Sequence, residues 1–376
     1  MKKSLALILA LIMCLSLLAS CGTTPPAASE APATEAPVVS ESPTIELEDP
    51  EPPIAGDTRT FTDSVERTVE VPAVITKISP SGALAQMFLL AIAPDLMVSI
   101  ASEYSDDQSK YIPASVTGLP VVGQFYGSAD LNLETIASIN PDVVIDVGEP
   151  KKTIVEDMDS ITTSLAIPAV HITATLNSAP DAFRQLGILL GREERGEELA
   201  LYCEKILAQT NDVMAQVGDN KVTTLYLVGS AGTNVLAKGS FHSEVIDWLT
   251  ENAAVVDEVS SKGSGNETDL EQIALWNPAF IIFAPDVDAA AALADPTWQQ
   301  LDAIANAQYL IVPQGPYNWM GSPPSINRYL GLIWLTYNLY PDYATFDINA
   351  EIAEYYEQFY GYELTPEEVG AFLGAE

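Results

Sequence analysis

Two stretches in the second half of the chain combine residue types that could recognise a charged small molecule. In Lys238-Gly239-Ser240-Phe241-His242, an ammonium, a hydroxyl and an imidazole precede a helix expected around Val245, Ile246 and Trp248. There they could hold an anion, or serve only as an N-cap with solvated neighbours. Farther on, Tyr317, Asn318 and Trp319 stand in a loop punctuated by proline and glycine, and Arg328 follows at the start of a helix. Aromatic rings in such a loop offer contact area at low side-chain entropy, or they pack inward and stiffen it. Lys238, Lys262 and Arg328 are the only cations near these loops, which makes Arg328 a candidate anion contact.

The first half offers a different chemistry. Val71 to Ile78 reads as a strand that enters Ser79-Pro80-Ser81-Gly82 and then the helical run ALAQMFLLAI. A turn of this kind aims the free N–H groups of a helix start beyond the strand's end, where they favour anionic or carbonyl oxygens. Ser79, Ser81 and Gly82 are therefore candidate ligand contacts. Tyr104, in the polar loop Ser102–Asp107, either lines a cleft or caps the half it belongs to.

Chemistry beyond binding is not expected. The chain has no GxSxG, no HExxH and no Cys/His ligand spacing, so neither an enzyme nor a resident metal or cofactor is anticipated. His171, between Val170 and Ile172, reads as a hydrogen-bonded core or edge histidine, and Cys203 as a small buried hydrophobe.

These candidates must be positioned by a repeated scaffold. Leu133–Ile145 and Leu270–Ile282 agree at seven of thirteen positions, each a short helix stopped at Asn-Pro and followed by an apolar run suited to a buried strand. Glu134 and Glu271 hold the same place in the two copies, near a helix N-terminus that favours acids. Between the copies, Leu199, Tyr202, Ile206, Val213 and Val217 share one stripe of a helix over residues 197–217. At 1.5 Å per residue it spans roughly 30 Å, enough to join two small lobes. The sequence thus predicts an α/β protein of two doubly wound lobes joined by a single long helix: residues 58–180, an interlobe helical region at 181–218, and residues 219–376.

Composition bounds the rest. Hydrophobic residues make up 48% of the chain and charged residues 18%, as in globular domains. The net charge of −36 makes nucleic acid an unlikely partner on electrostatic grounds. Residues 1–20 have the basic start and apolar middle of a secretory signal, and Leu18-Ala19-Ser20-Cys21 resembles a lipobox, with Cys21 as the lipidated residue. Cys14 would leave with the signal, so Cys203 remains alone and no internal disulfide is expected. Residues 21–57, rich in Pro, Ala, Thr, Ser and Glu, read as a disordered tether.

Lipobox, tether, two lobes, long helix and the repeated L-E-x-I-A-x-x-N-P unit together resemble the substrate-binding lipoproteins of ABC importers for ferric siderophores, haem and cobalamin. The resemblance covers about residues 60–345. It implies a class III periplasmic-binding-protein fold, a monomer held on the outer face of the cell membrane, and an ABC permease with its ATPase as partners. It places the ligand in the interlobe cleft, near Ser79 to Gly82, Tyr104, Tyr126, Lys238 to His242, Tyr317 to Trp319 and Arg328. It also implies that Glu134 and Glu271 dock on the permease. A hydroxamate-like ferric chelate is the expected cargo, because few cations are available for a catecholate. Haem, cobalamin and an oxyanion such as molybdate are the alternatives within the class; a surface-anchored enzyme or a sensory or adhesion lipoprotein are those outside it.

Overall fold

A computed structural model describes residues 56–126 and 130–374. The signal, the tether and Cys21 lie outside the described residues, apart from the tether's last two positions. The chain begins there with an antiparallel hairpin, Thr58–Thr62 with Thr68–Pro72, rather than the single strand expected from Val71 onward. Pro72 ends the second strand, and a new one starts only at Ile78.

The first half is built on three parallel strands, Ile78–Pro80, Val143–Gly148 and Ala169–Thr173, with Val143–Gly148 in the middle. Isolated parallel bridges from Ile78 to Met97 and from Ile100 to Val121 extend the sheet past Ile78–Pro80. The chain therefore winds outward one way and returns the other, so the topological switch falls between Ile78–Pro80 and Val143–Gly148. Ligands of open parallel sheets bind in the crevice at that point. Every residue of the central strand is buried, as a strand covered by helices on both faces requires.

The second half repeats the plan. Strand Thr223–Val228 pairs in parallel with Phe280–Phe283 and Glu251–Asn252, and Phe280–Phe283 pairs with Tyr309–Ile311. An antiparallel pair, Asn234–Val235 and Asn266–Glu267, adds to its other edge. In both halves the repeated unit contributes a seven-residue helix, Leu133–Ile139 or Leu270–Trp276, and the strand that follows. Each helix is capped by a side chain at its start, Asn132 or Asp269, and stops at an asparagine in the left-handed region, Asn140 or Asn277.

The interlobe helix runs Glu193–Val217, four residues longer at its start than the periodicity suggested, because Glu193 and Glu194 suit a first turn. At 25 residues it is roughly 38 Å long. All five predicted stripe residues are buried. It packs on helix Ala179–Leu190 so closely that a Cβ on Gly196 would lie 2.6 Å from the Phe183 carbonyl oxygen, so only glycine fits there. Three helices close the chain, Arg328–Leu339, Ile348–Tyr360 and Pro366–Phe372. The second is pinned to the interlobe helix by Lys205, whose ammonium is 3.0 Å from Glu351 and 2.7 Å from Glu354. The third reaches the first half, where Glu368 pairs with Lys110 at 2.5 Å.

Candidate functional site

A cavity of about 570 Å³ opens between the halves. From the first half it receives the start of helix Ala83–Ile92 and the end of strand Val143–Gly148, the two sides of the topological switch; Tyr126, Glu149 and Lys151 complete that wall. From the second half come Phe241, His242, Ser261 to Gly263 and the pair Pro323-Pro324.

The helix Ala83–Ile92 enters at Gly82 without a side-chain cap. Its first-turn N–H groups have no partner within the helix and carry the positive end of the helix dipole, which favours an anion. Lys151 and Lys262 add positive charge, although Lys151 is 3.0 Å from the Glu149 carboxylate. His242 Nδ1 lies 2.8 Å from the Gly321 carbonyl oxygen, which can only accept. Nδ1 therefore carries the proton, and Nε2 presents a lone pair. Burial pushes the His242 pKa below its ordinary value, so the ring stays neutral at pH 7. Tyr126 donates its hydroxyl to Asp157, and burial together with that carboxylate pushes its pKa up.

Of the residues picked from the sequence, Ser81, Gly82, Tyr126 and His242 line this cavity. The others stand elsewhere. Ser79 is buried between strands, its hydroxyl 2.7 Å from that of Ser99. Ser240 caps the short turn at Phe241–Ser243 and borders a smaller recess beside Thr175, Leu176 and Trp248. Lys238 is exposed and paired with Glu251 at 2.8 Å.

The loop at 312–328 corrects the expectation most sharply. Trp319 has no exposed surface and packs against Phe372, with ring centroids 5.1 Å apart. Tyr317 is buried; its hydroxyl accepts from Gln86 at 3.3 Å, and its ring meets that of Tyr104 at 6.4 Å. Burial pushes the Tyr104 pKa up to about 12. Asn318 is also buried, and its Oδ1 accepts from the N–H groups of Met320 and Gly321. The inward alternative wins because large aromatic surfaces gain more from full burial than from a partly wet cleft. Arg328 is 1% exposed and bonds Glu244, which also accepts from the Leu176 N–H at 3.2 Å, while the Phe241 ring lies 4.9 Å from the guanidinium. A guanidinium already paired in the interior is not free to meet cargo. Burial pushes the Glu244 pKa up, against the pull of Arg328.

Sequence reasoning passed over Asp146. It lines the cavity, accepts from the Ser81 hydroxyl, and places Oδ2 2.6 Å from His171 Nδ1. His171 is fully buried and hydrogen-bonded, as read from its apolar neighbours. The available signal for Asp146 was a lone carboxylate inside the apolar run Val143-Val144-Ile145-Asp146-Val147.

Two α/β halves, a long connecting helix and a cavity at their junction define a two-lobed binding protein of the class III form. The family model described as periplasmic binding protein matches residues 81–314, and this chain belongs to that family. The Fe(3+)-citrate-binding protein YfmC of Bacillus subtilis is 24% identical over 224 residues, which cover 58% of this chain and 66% of that one. An ABC transporter solute binding protein from Sulfurospirillum deleyianum is 26% identical, with a TM-score of 0.76 over 84% of this chain and 99% of that one. The molybdate periplasmic binding protein MolA of Haemophilus influenzae, 17% identical, shares the fold with a TM-score of 0.65, over 82% of this chain and 99% of that one.

Proposed function

We propose that this chain is the extracytoplasmic substrate-binding protein of an ABC importer, and that it captures an anionic ferric chelate of the carboxylate class. The observation that carries this reading is the interlobe cavity, with an uncapped helix start and two lysines on its walls. At about 570 Å³ it falls within the roughly 300 to 1,000 Å³ usual for small-molecule sites. A lone tetrahedral oxyanion would leave most of that space to water. The hydroxamate expectation rested on the few cations near the cleft, and the aromatic contact expected from Tyr317 and Trp319 is not available, since both are buried and neither lines the cavity. The Bacillus relative named for ferric citrate supports the carboxylate class. Binding, rather than turnover, is the role that the family and these relatives support.

Calorimetric titration with ferric citrate, a ferric hydroxamate, haem, cobalamin and molybdate tests the cargo. Saturable binding of ferric citrate above the others is expected. Binding of molybdate alone would move the protein to the oxyanion class, and consumption of any compound would make it an enzyme.

Anchoring and delivery belong to the same proposal. Lipid on Cys21 holds the monomer to the membrane, and Cys21→Ala should release it. Among the described residues no helix is long and apolar enough to cross a membrane. Glu134 and Glu271, both exposed in the first turns of the paired short helices, are proposed to seat the two halves on the permease. Glu134→Lys with Glu271→Lys should bind cargo normally yet fail to stimulate ATP hydrolysis by the transporter.

A further inference from the structure

The cavity wall holds, in Asp146, a carboxylate with no lysine or arginine paired to it among the described residues, which an anion-binding site would not be expected to keep. Asp146 accepts from Ser81, and His171 Nδ1 lies 2.6 Å from its Oδ2; His171 Nε2 in turn lies 3.2 Å from Thr173 Oγ1. These distances fit Nδ1–H donating to the carboxylate and the Thr173 hydroxyl donating to Nε2.

The scaffold does not demand this carboxylate. In the second copy of the repeated unit the matching position is Phe283, fully buried against Trp298 and Tyr309, and that half builds the same strand. Asp146 instead reaches the cavity wall beside Ser81. On the wall from the other half, His242 presents the lone pair of Nε2. With Glu149, whose carboxylate pairs with Lys151, three acceptors line a space whose other polar groups include helix N–H donors and lysines.

We propose that Asp146 determines which anions the cleft accepts. It favours a chelate whose surface there carries a proton, as a hydroxyl or metal-bound water does, and it turns away an oxyanion with no proton to give. A hydroxyl brought to the carboxylate donates a charge-assisted hydrogen bond, whereas a bare anionic oxygen meets like charge in a partly desolvated pocket. The inference rests on the cavity being the cargo site.

The test is calorimetric titration of wild type and Asp146→Asn with ferric citrate and with molybdate, after circular dichroism shows both proteins folded. The variant should bind ferric citrate at least about tenfold more weakly and molybdate at least about tenfold more tightly, because the amide supplies a donor where the carboxylate supplied charge. Affinities that stay within twofold, or that move together in one direction, overturn the proposal. If the asparagine variant does not fold, Asp146→Ser keeps a polar partner for Ser81 and His171 and is read in the same way. Failure of the wild type to bind ferric citrate refutes the cargo reading alone. The molybdate arm then decides for Asp146, with a gain in the variant supporting it and no gain overturning it.

Discussion

The two copies of the repeated unit share a helix, a stop and a strand, yet only one of them opens onto the cavity. In the first half the crevice between the switch strands is open, and Ser81, Asp146 and Glu149 stand around it. In the second half the corresponding crevice is bridged: Asp286, the counterpart of Glu149, accepts from the Gly229 N–H at 2.9 Å, and the Asp288 N–H donates to the Ser230 carbonyl at 2.9 Å. The second half meets the cleft instead with segments outside its switch, at His242, Lys262 and Pro323. Duplication copied the frame, and side chains at equivalent positions, Asp146 against Phe283 and Glu149 against Asp286, divided the labour.

Writing the first half's residue into the second is the severest test of that division. Phe283→Asp places an unpaired carboxylate in a dry core, which should cost at least about 4 kcal/mol and abolish the cooperative melt seen by circular dichroism. A wild-type melt would mean that the two positions are interchangeable after all.

Next in size is Trp319→Ala, which removes a fully buried ring and should lower stability by about 3 to 5 kcal/mol in urea titration. Loss of cargo affinity without loss of stability would return Trp319 to the cleft. Arg328→Gln strands Glu244, whose side chain is 25% exposed and so partly hydrated; a cost of about 3 kcal/mol, at the low end for a broken buried pair, is expected in the same assay.

The shared part of the two copies should respond alike. Asn132→Ala and Asp269→Ala each remove one N-cap hydrogen bond and should each cost about 1 kcal/mol. A difference well beyond that would show that the frames are not equivalent.

The smallest effect concerns the contact by which the C-terminal helix reaches the first half. The hydrogen bond from Lys110 holds the Glu368 pKa at about 2, below the ordinary 4.5. A depressed carboxyl contributes stability that is complete above its unfolded value and is lost as pH falls toward the folded one. The gap in melting temperature between wild type and Glu368→Gln should therefore be widest near neutral pH and narrow as pH falls from about 4.5 to about 2. It should also shrink in high salt, because the Lys110 side chain is 47% exposed.

Much of this architecture is legible in the residues themselves. The Asn-Pro stops, the apolar strand runs and the stripe from Leu199 to Val217 are local signals, set by backbone sterics and helical period, and the structure places each where its spacing puts it. The turn at Ser81-Gly82 was visible for the same reason: a strand running into a helix start is a local event. The missed hairpin at 58–72 has alternating but weakly apolar strands, TRTFT and TVEVP, whose register depends on pairing with each other.

What only the tertiary structure decided is which polar and aromatic side chains face the space between the halves. Trp319 looked like a binding group because its ring stands in a proline- and glycine-punctuated loop, and Arg328 because cations are scarce around it; Phe372 and Glu244, distant in sequence, are the partners against which the two are buried. Asp146 looked like part of a strand, and it faces the cavity because Ser81 and His171, 65 and 25 residues away, hold its carboxylate at the end of that strand. Sequence sets secondary structure through neighbours along the chain, whereas exposure is settled by long-range partners whose meeting depends on the fold as a whole.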